Sequence, residues 1–178
     1  MMSTVQEVKD IIERAANMPW GPACSAELAR AVVLVDSLEG EEGLRIEAYM
    51  ELATAYQQGN EEWKALAPTA WLVTKFDENP GAFEADQIES LAWLYKNATS
   101  ATGRNPAVSK EQALELSEGF GKFIQDQGYS MHAVHGVRFA LALRMGDPVV
   151  AHEELVKWRA TPRDEVSDCV QCDPERQI

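Results

Sequence analysis

The sequence predicts an all-α protein of about eight helices in four antiparallel pairs. Three observations predict it. Apolar residues return every three or four positions along most of the chain, the period of a helix with one buried face. Helix starts and stops are frequent: capping boxes, prolines in first turns and glycines after last turns. Beta signals are nearly absent, with no Asn-Gly or Asp-Gly turn and no long apolar/polar alternation.

The first helix is read over Thr4–Asn17, opened by Thr4 and Glu7 as a capping box and striped by Val5, Val8, Ile12 and Ala15. Met18-Pro-Trp-Gly-Pro22 breaks it, and Pro22 suits the next first turn, where its missing N–H has no partner to lose. That second helix runs to about Leu38 with Leu28, Val32, Val35 and Leu38 inward; its spacing overrides the strand-like run Ala31–Val35. Gly40 stops it. The third, Glu41–Gln58, has acids in its first turn that complement the dipole, and Leu44, Ala48, Leu52, Ala55 and Tyr56 inward. The fourth, Glu61–Lys75, is striped by Trp63, Leu66, Ala67, Ala70 and Trp71, with a kink or division expected near Ala67 because of Pro68.

Asp77–Gly81 reads as a turn. The fifth helix, Phe83 to about Ser100, buries Ile88, Leu91, Ala92, Tyr95 and Ala98. After the loop Thr102–Pro106, Ser109 and Gln112 form a second capping box. The sixth helix then runs to Gln127 with Ala113, Leu116, Phe120, Phe123 and Ile124 inward. Gly119 and Gly121 suggest a close helix–helix approach there. The seventh, Ser130–Met145, is apolar on nearly all sides and is expected to be covered from several directions. Gly146-Asp147-Pro148 is a compact stop, cap and start for the eighth, Val149–Trp158. One helical domain over 1–162 is expected, followed by an irregular tail over 163–178 with a Cys-x-x-Cys pair.

The chain has 178 residues and a net charge of −13, from 16 Lys+Arg and 29 Asp+Glu. That balance disfavours nucleic acid and anionic membrane surfaces, which need clustered basic groups. At 46% hydrophobic residues the chain can bury a core. Three cysteines make a poor disulfide framework, and no signal-like or membrane-spanning run is present, so a reduced, cytoplasmic location is expected.

Arg138–Pro162 carries the marks of one repeat unit: Gly146-Asp147, Ala151, Leu155, Trp158 and Pro162. In such a unit a small alanine lets two helices approach, and large residues fill the space between pairs. Leu52–Pro80 is similar through Leu52, Ala53, Tyr56, Gly59-Asn60 and Ala65; Leu91–Gln127 is weaker, through Leu91, Ala92, Tyr95 and Ala113. These motifs resemble tetratricopeptide (TPR) repeats. The uneven spacing of the alanines excludes a regular array of about 34 residues. The chain more closely resembles bacterial TPR-like proteins without an established activity, in which Trp20-Gly-Pro, Ser130-Met-His-Ala-Val-His135 and the segment Trp158–Cys172 recur. The resemblance implies an α-solenoid with a right-handed superhelix, and relatives of this type can carry further repeats.

The resemblance also implies a protein or peptide partner in the concave groove of an interaction scaffold. Its groove side would draw on Tyr49, Tyr56, Trp93, Lys96, Asn97, Arg138 and Arg144, the basic and amide groups receiving a carboxylate. A second possibility is a zinc-stabilised module. Cys169 and Cys172 would supply two of four tetrahedral ligands and His132 and His135, at i and i+3, the others; Cys24 and His152 are reserves. Packing is the plainer role for both histidines. No Ser, Asp or Cys lies at a spacing that pairs with them, so no enzymatic activity and no obligatory cofactor are expected. A self-associating structural protein, a homo-oligomer through open array ends, is the third possibility. Val166, Cys169, Val170 and Cys172 are expected to bring the tail back onto the last helices as a cap.

Overall fold

A computed structural model describes residues 4–167. Among these are eight α-helices and no strand: α1 Val5–Ala16, α2 Pro22–Asp36, α3 Glu42–Gln58, α4 Leu66–Glu78, α5 Ala85–Thr102, α6 Lys110–Asp126, α7 His132–Arg144 and α8 Pro148–Ala160. The all-α expectation holds, and every helix lies within a few residues of its expected place. The punctuation is physical. The Thr4 hydroxyl accepts the Glu7 N–H, Ser109 and Gln112 form a reciprocal capping box, and the Asp147 carboxylate accepts the Val150 N–H with Pro148 behind it. Gly146 takes a φ of 71° between α7 and α8, which a side chain would resist. At the end of α3 the left-handed position falls on Asn60, with φ 61°, and not on Gly59.

The chain divides into two compact units, one reaching to Ala98 and one starting at Thr99, with the boundary inside α5. In the first, α1 packs on α2, α2 on α3 and α3 on α4. Val8, Ile11, Leu28, Val35, Ala48 and Leu52 form its core. Gln57 on α3 reaches α5, where its amide donates to the Leu94 carbonyl at 3.1 Å and its oxygen accepts from Asn97 at 3.3 Å.

The fourth helix differs from its sequence reading. A short 3-10 turn at Glu62–Lys64 precedes it, and Pro68 sits in the first turn of α4, where it needs no kink. The buried stripe is Ala65, Pro68, Thr69, Leu72 and Phe76. Trp63, Ala67 and Ala70 face outward and Trp71 is half-buried. Counting Trp63 as inward rotated the whole face. Tryptophans in this chain favour half-exposed positions: Trp63 is 63% and Trp20 49% exposed, and none is fully buried. Phenylalanines carry the aromatic core, with Phe76, Phe83, Phe120 and Phe123 all buried.

In the second unit α6 packs on α7 and α7 packs extensively on α8. Two glycines set the spacing. A Cβ on Gly136 would stand 3.2 Å from the Trp158 ring, and one on Gly121 would stand 3.4 Å from the Val134 side chain. Ala151 is buried where α8 meets α7, and Ala113 is buried on α6. The seventh helix is less covered than its composition predicts. Val134, Val137 and Leu141 are buried, Phe139 is half-buried, and Leu143 is 55% exposed.

The chain beyond α8 returns to the α6–α7 turn. Asp164 accepts the Ser130 backbone N–H, and the Ser130 hydroxyl donates to the Pro162 carbonyl. Ser167 donates its N–H and hydroxyl to Asp164 at 3.1 and 3.0 Å. Val166 and Ser167 are buried. The chain thus returns to the α6–α7 turn as far as Ser167; the rest of the tail expected to cap the last helices, with Cys169, Val170 and Cys172, lies outside the described residues. Asp164→Ala removes the acceptor of three part-buried donors, the Ser130 N–H and the Ser167 N–H and hydroxyl, and is expected to destabilise by about 1–3 kcal/mol in urea unfolding. An unchanged midpoint would mean that the strap carries no stability.

Candidate functional site

The second unit contains a cleft of about 400 Å³. α6 contributes Lys110, Leu114, Ser117 and Glu118; α7 contributes Arg138, Leu141, Ala142 and Met145; Asp147, Val150 and Glu154 come from the cap and body of α8. Leu141 and Ala142 are buried in its wall, while Leu114 and Val150 stand 45% and 41% exposed. Apolar residues at 3- and 4-residue spacing on α6 and α7 place these groups on the facing sides of the two helices. Gly121 lets α7 come close enough for the Arg138 guanidinium to lie against the α6 backbone, with Nη2 2.9 Å from where a Cβ would be.

One wall is electrostatically settled. Glu154 is buried, and its carboxylate accepts from His135 Nδ1 at 2.7 Å and from Lys157 at 2.9 Å. Burial pushes its pKa up, but the hydrogen bonds from His135 and Lys157 outweigh that and hold it below the usual carboxylate range. A depressed carboxylate adds stability above its unfolded pKa of about 4.3, and that stability is lost as pH falls through the folded value. Glu154→Gln is therefore expected to flatten the decline of the melting temperature between about pH 5 and pH 3 relative to the wild type. A parallel decline in both proteins would show that Glu154 does not contribute to it.

His132 is buried as well. The Trp158 indole N–H, which can only donate, points at His132 Nδ1 at 3.3 Å. The two histidines on α7 thus pair with two residues one turn apart on α8, His132 with Trp158 and His135 with Glu154. Both Nδ1 atoms are engaged within the fold, which is a packing role. A zinc ion would have to use the Nε2 atoms. Among the described residues no group of three or more His, Cys, Asp or Glu is placed to hold a metal ion. Cys24 is core: it is buried, its thiol is pushed up by burial and then by Glu51, and it donates to the Ala15 carbonyl at 3.6 Å. His152 is exposed.

The groove residues read from the sequence fall into both units. In the first, Tyr49 stacks on Trp71 with centroids 3.9 Å apart and donates to Asp36 at 3.0 Å; burial and that bond push its pKa up to about 12. The Lys64 ammonium lies over the Tyr56 ring at 5.7 Å. Trp93 is half-buried, and Asn97 bonds Gln57. Lys96 corrects the expectation: it is only 7% exposed, so it is not a surface cation. α5 is covered on more sides than its Leu91–Tyr95 stripe foretells, since Leu94, Thr99 and Thr102 are buried too. In the second unit Arg144 is exposed and donates to the Ser100 carbonyl at 2.8 Å. Only Arg138 lines the cleft. Leu114, Ser117 and Val150 were missed; only Ser117, a turn from the buried Ala113 and Phe120, had a signal in the sequence.

The described residues thus define an all-helical protein, with a small amphiphilic cleft built by its last three helices. No helix among them is long and apolar enough to cross a membrane. No protein-family model, curated protein or solved structure matches the chain.

Proposed function

We propose that the protein is a non-catalytic interaction module, a TPR-like scaffold whose second unit binds a segment of a partner polypeptide in the cleft between α6, α7 and α8. The observation that carries this reading is the cleft's make-up. Leu114 and Val150 expose apolar surface at its mouth, over a buried wall of Leu141 and Ala142, while charged groups surround them. An apolar pocket with a few polar groups is the form that takes one anchoring side chain of a partner.

Panning a random 12-residue peptide library on the full chain tests it, with the double variant Leu114→Asp/Val150→Asp as the counter-target. Enriched peptides that bind the wild type and lose the variant support the reading. No enrichment, or enrichment indifferent to the variant, rejects it.

Self-association is the second reading, favoured by Leu143, Val149 and Val156, which are 54–67% exposed on α7 and α8. Light scattering on dilute protein decides it: a monomer rejects this reading, and a dimer dispersed by Val149→Lys/Val156→Lys supports it.

A further inference from the structure

Two polar groups without partners share the cleft. The Arg138 guanidinium, half-buried against Gly121, makes no hydrogen bond or ion pair among the described residues. It carries five N–H donors and a permanent charge. In a chain with 29 acidic residues against 16 basic ones, carboxylates are plentiful, yet none of those among the described residues is bonded to it. One turn earlier on the same face of α6 is Ser117, 2% exposed, whose hydroxyl also has no partner. A serine inside a helix ordinarily returns its hydroxyl to the carbonyl four residues back, and this one does not. A buried hydroxyl and a sheltered guanidinium left unpaired in one cavity are donors awaiting an acceptor.

Resting on the binding reading above, the geometry points to a carboxylate as the acceptor, carried beside an apolar group: Arg138 and Ser117 bind its oxygens while Leu114, Leu141 and Met145 cover its hydrocarbon. The planar fork of arginine matches a carboxylate. Charge selects it over a phosphate dianion, because Glu118 and Asp147 also line the cleft. Glu154 does not compete for Arg138, since His135 and Lys157 already hold it.

The test is an NMR titration of the full chain with three probes of equal chain length: hexanoate, hexanol and hexyl phosphate. Signals of the Leu114 methyls and the Arg138 Nε–H report the cleft. Hexanoate is expected to bind at least about fivefold more tightly than hexanol, with Arg138→Gln erasing the preference. Arg138→Lys, which keeps the charge and loses the fork, is expected to retain only part of it, so the assignment stays testable if the glutamine variant does not fold. Equal binding of hexanoate and hexanol would overturn carboxylate recognition while leaving an apolar cleft. Tighter binding of hexyl phosphate would overturn the choice of anion. A preference that survives Arg138→Gln would overturn the role of Arg138. If none of the probes moves the cleft signals, both this inference and the binding reading fall.

Discussion

Phe120→Ala is expected to lower the stability of the second unit by about 3–5 kcal/mol. Phe120 is fully buried on α6 beside Phe123 and Ile124, themselves buried. Removing the ring takes away its transfer energy and leaves a cavity, because α6 is held against α7 at Gly121 and cannot close the gap. The urea midpoint should fall with little change in slope. Leu114→Ala is the control on the same helix. At 45% exposure it should cost about 1 kcal/mol or less while weakening any ligand of the cleft. Equal losses from the two substitutions would mean that Phe120 is not the anchor of this core.

Ala151→Trp is the second. Ala151 is 2% exposed on α8, where the chain packs most extensively on α7. Gly136 on α7 allows the Trp158 ring to come within 3.2 Å of the space a Cβ would fill, which shows how closely α7 and α8 approach two turns further along. Overpacking of this kind costs about 1–3 kcal/mol, and the rigid approach of the two helices places this case at the upper end. Val149→Trp, two positions away and 67% exposed, should melt like the wild type. A wild-type melting temperature for Ala151→Trp would refute the close contact at this alanine.

Much of the fold was legible because its signals are local. A side-chain oxygen three residues before an amide can cap a helix from local geometry alone, so Thr4, Ser109 and Asp147 marked starts correctly. The small alanines at 65, 113 and 151 are all buried as their repeat-like setting implied. Faces were less legible. In α4 the stripe turned on whether Trp63 or Phe76 pointed inward, and periodicity alone accepts either. In α3, Ile46, Met50 and Ala53 are buried on the side opposite Leu44 and Ala48, because the helix is packed by α2 and α4 together. One helical stripe cannot show how many neighbours a helix has.

The candidate site was less legible still. Arg138 was singled out from the sequence as one of several basic groups, but its significance lies in having no partner among the described residues, which is a property of its surroundings. Lys96 carries the same charge and is buried in another setting. By itself, then, the sequence determined the all-helical class, the number and approximate places of the helices and several of the caps that start them, since these depend on residues within one or two turns of each other. Tertiary structure alone decided which faces were covered and that Trp158 and Glu154 would occupy the two histidines. It also decided that Arg138 and Ser117 would line one cleft with no partner among the described residues. Those outcomes depend on groups from helices distant in sequence, and on glycine contacts that set how closely the helices approach.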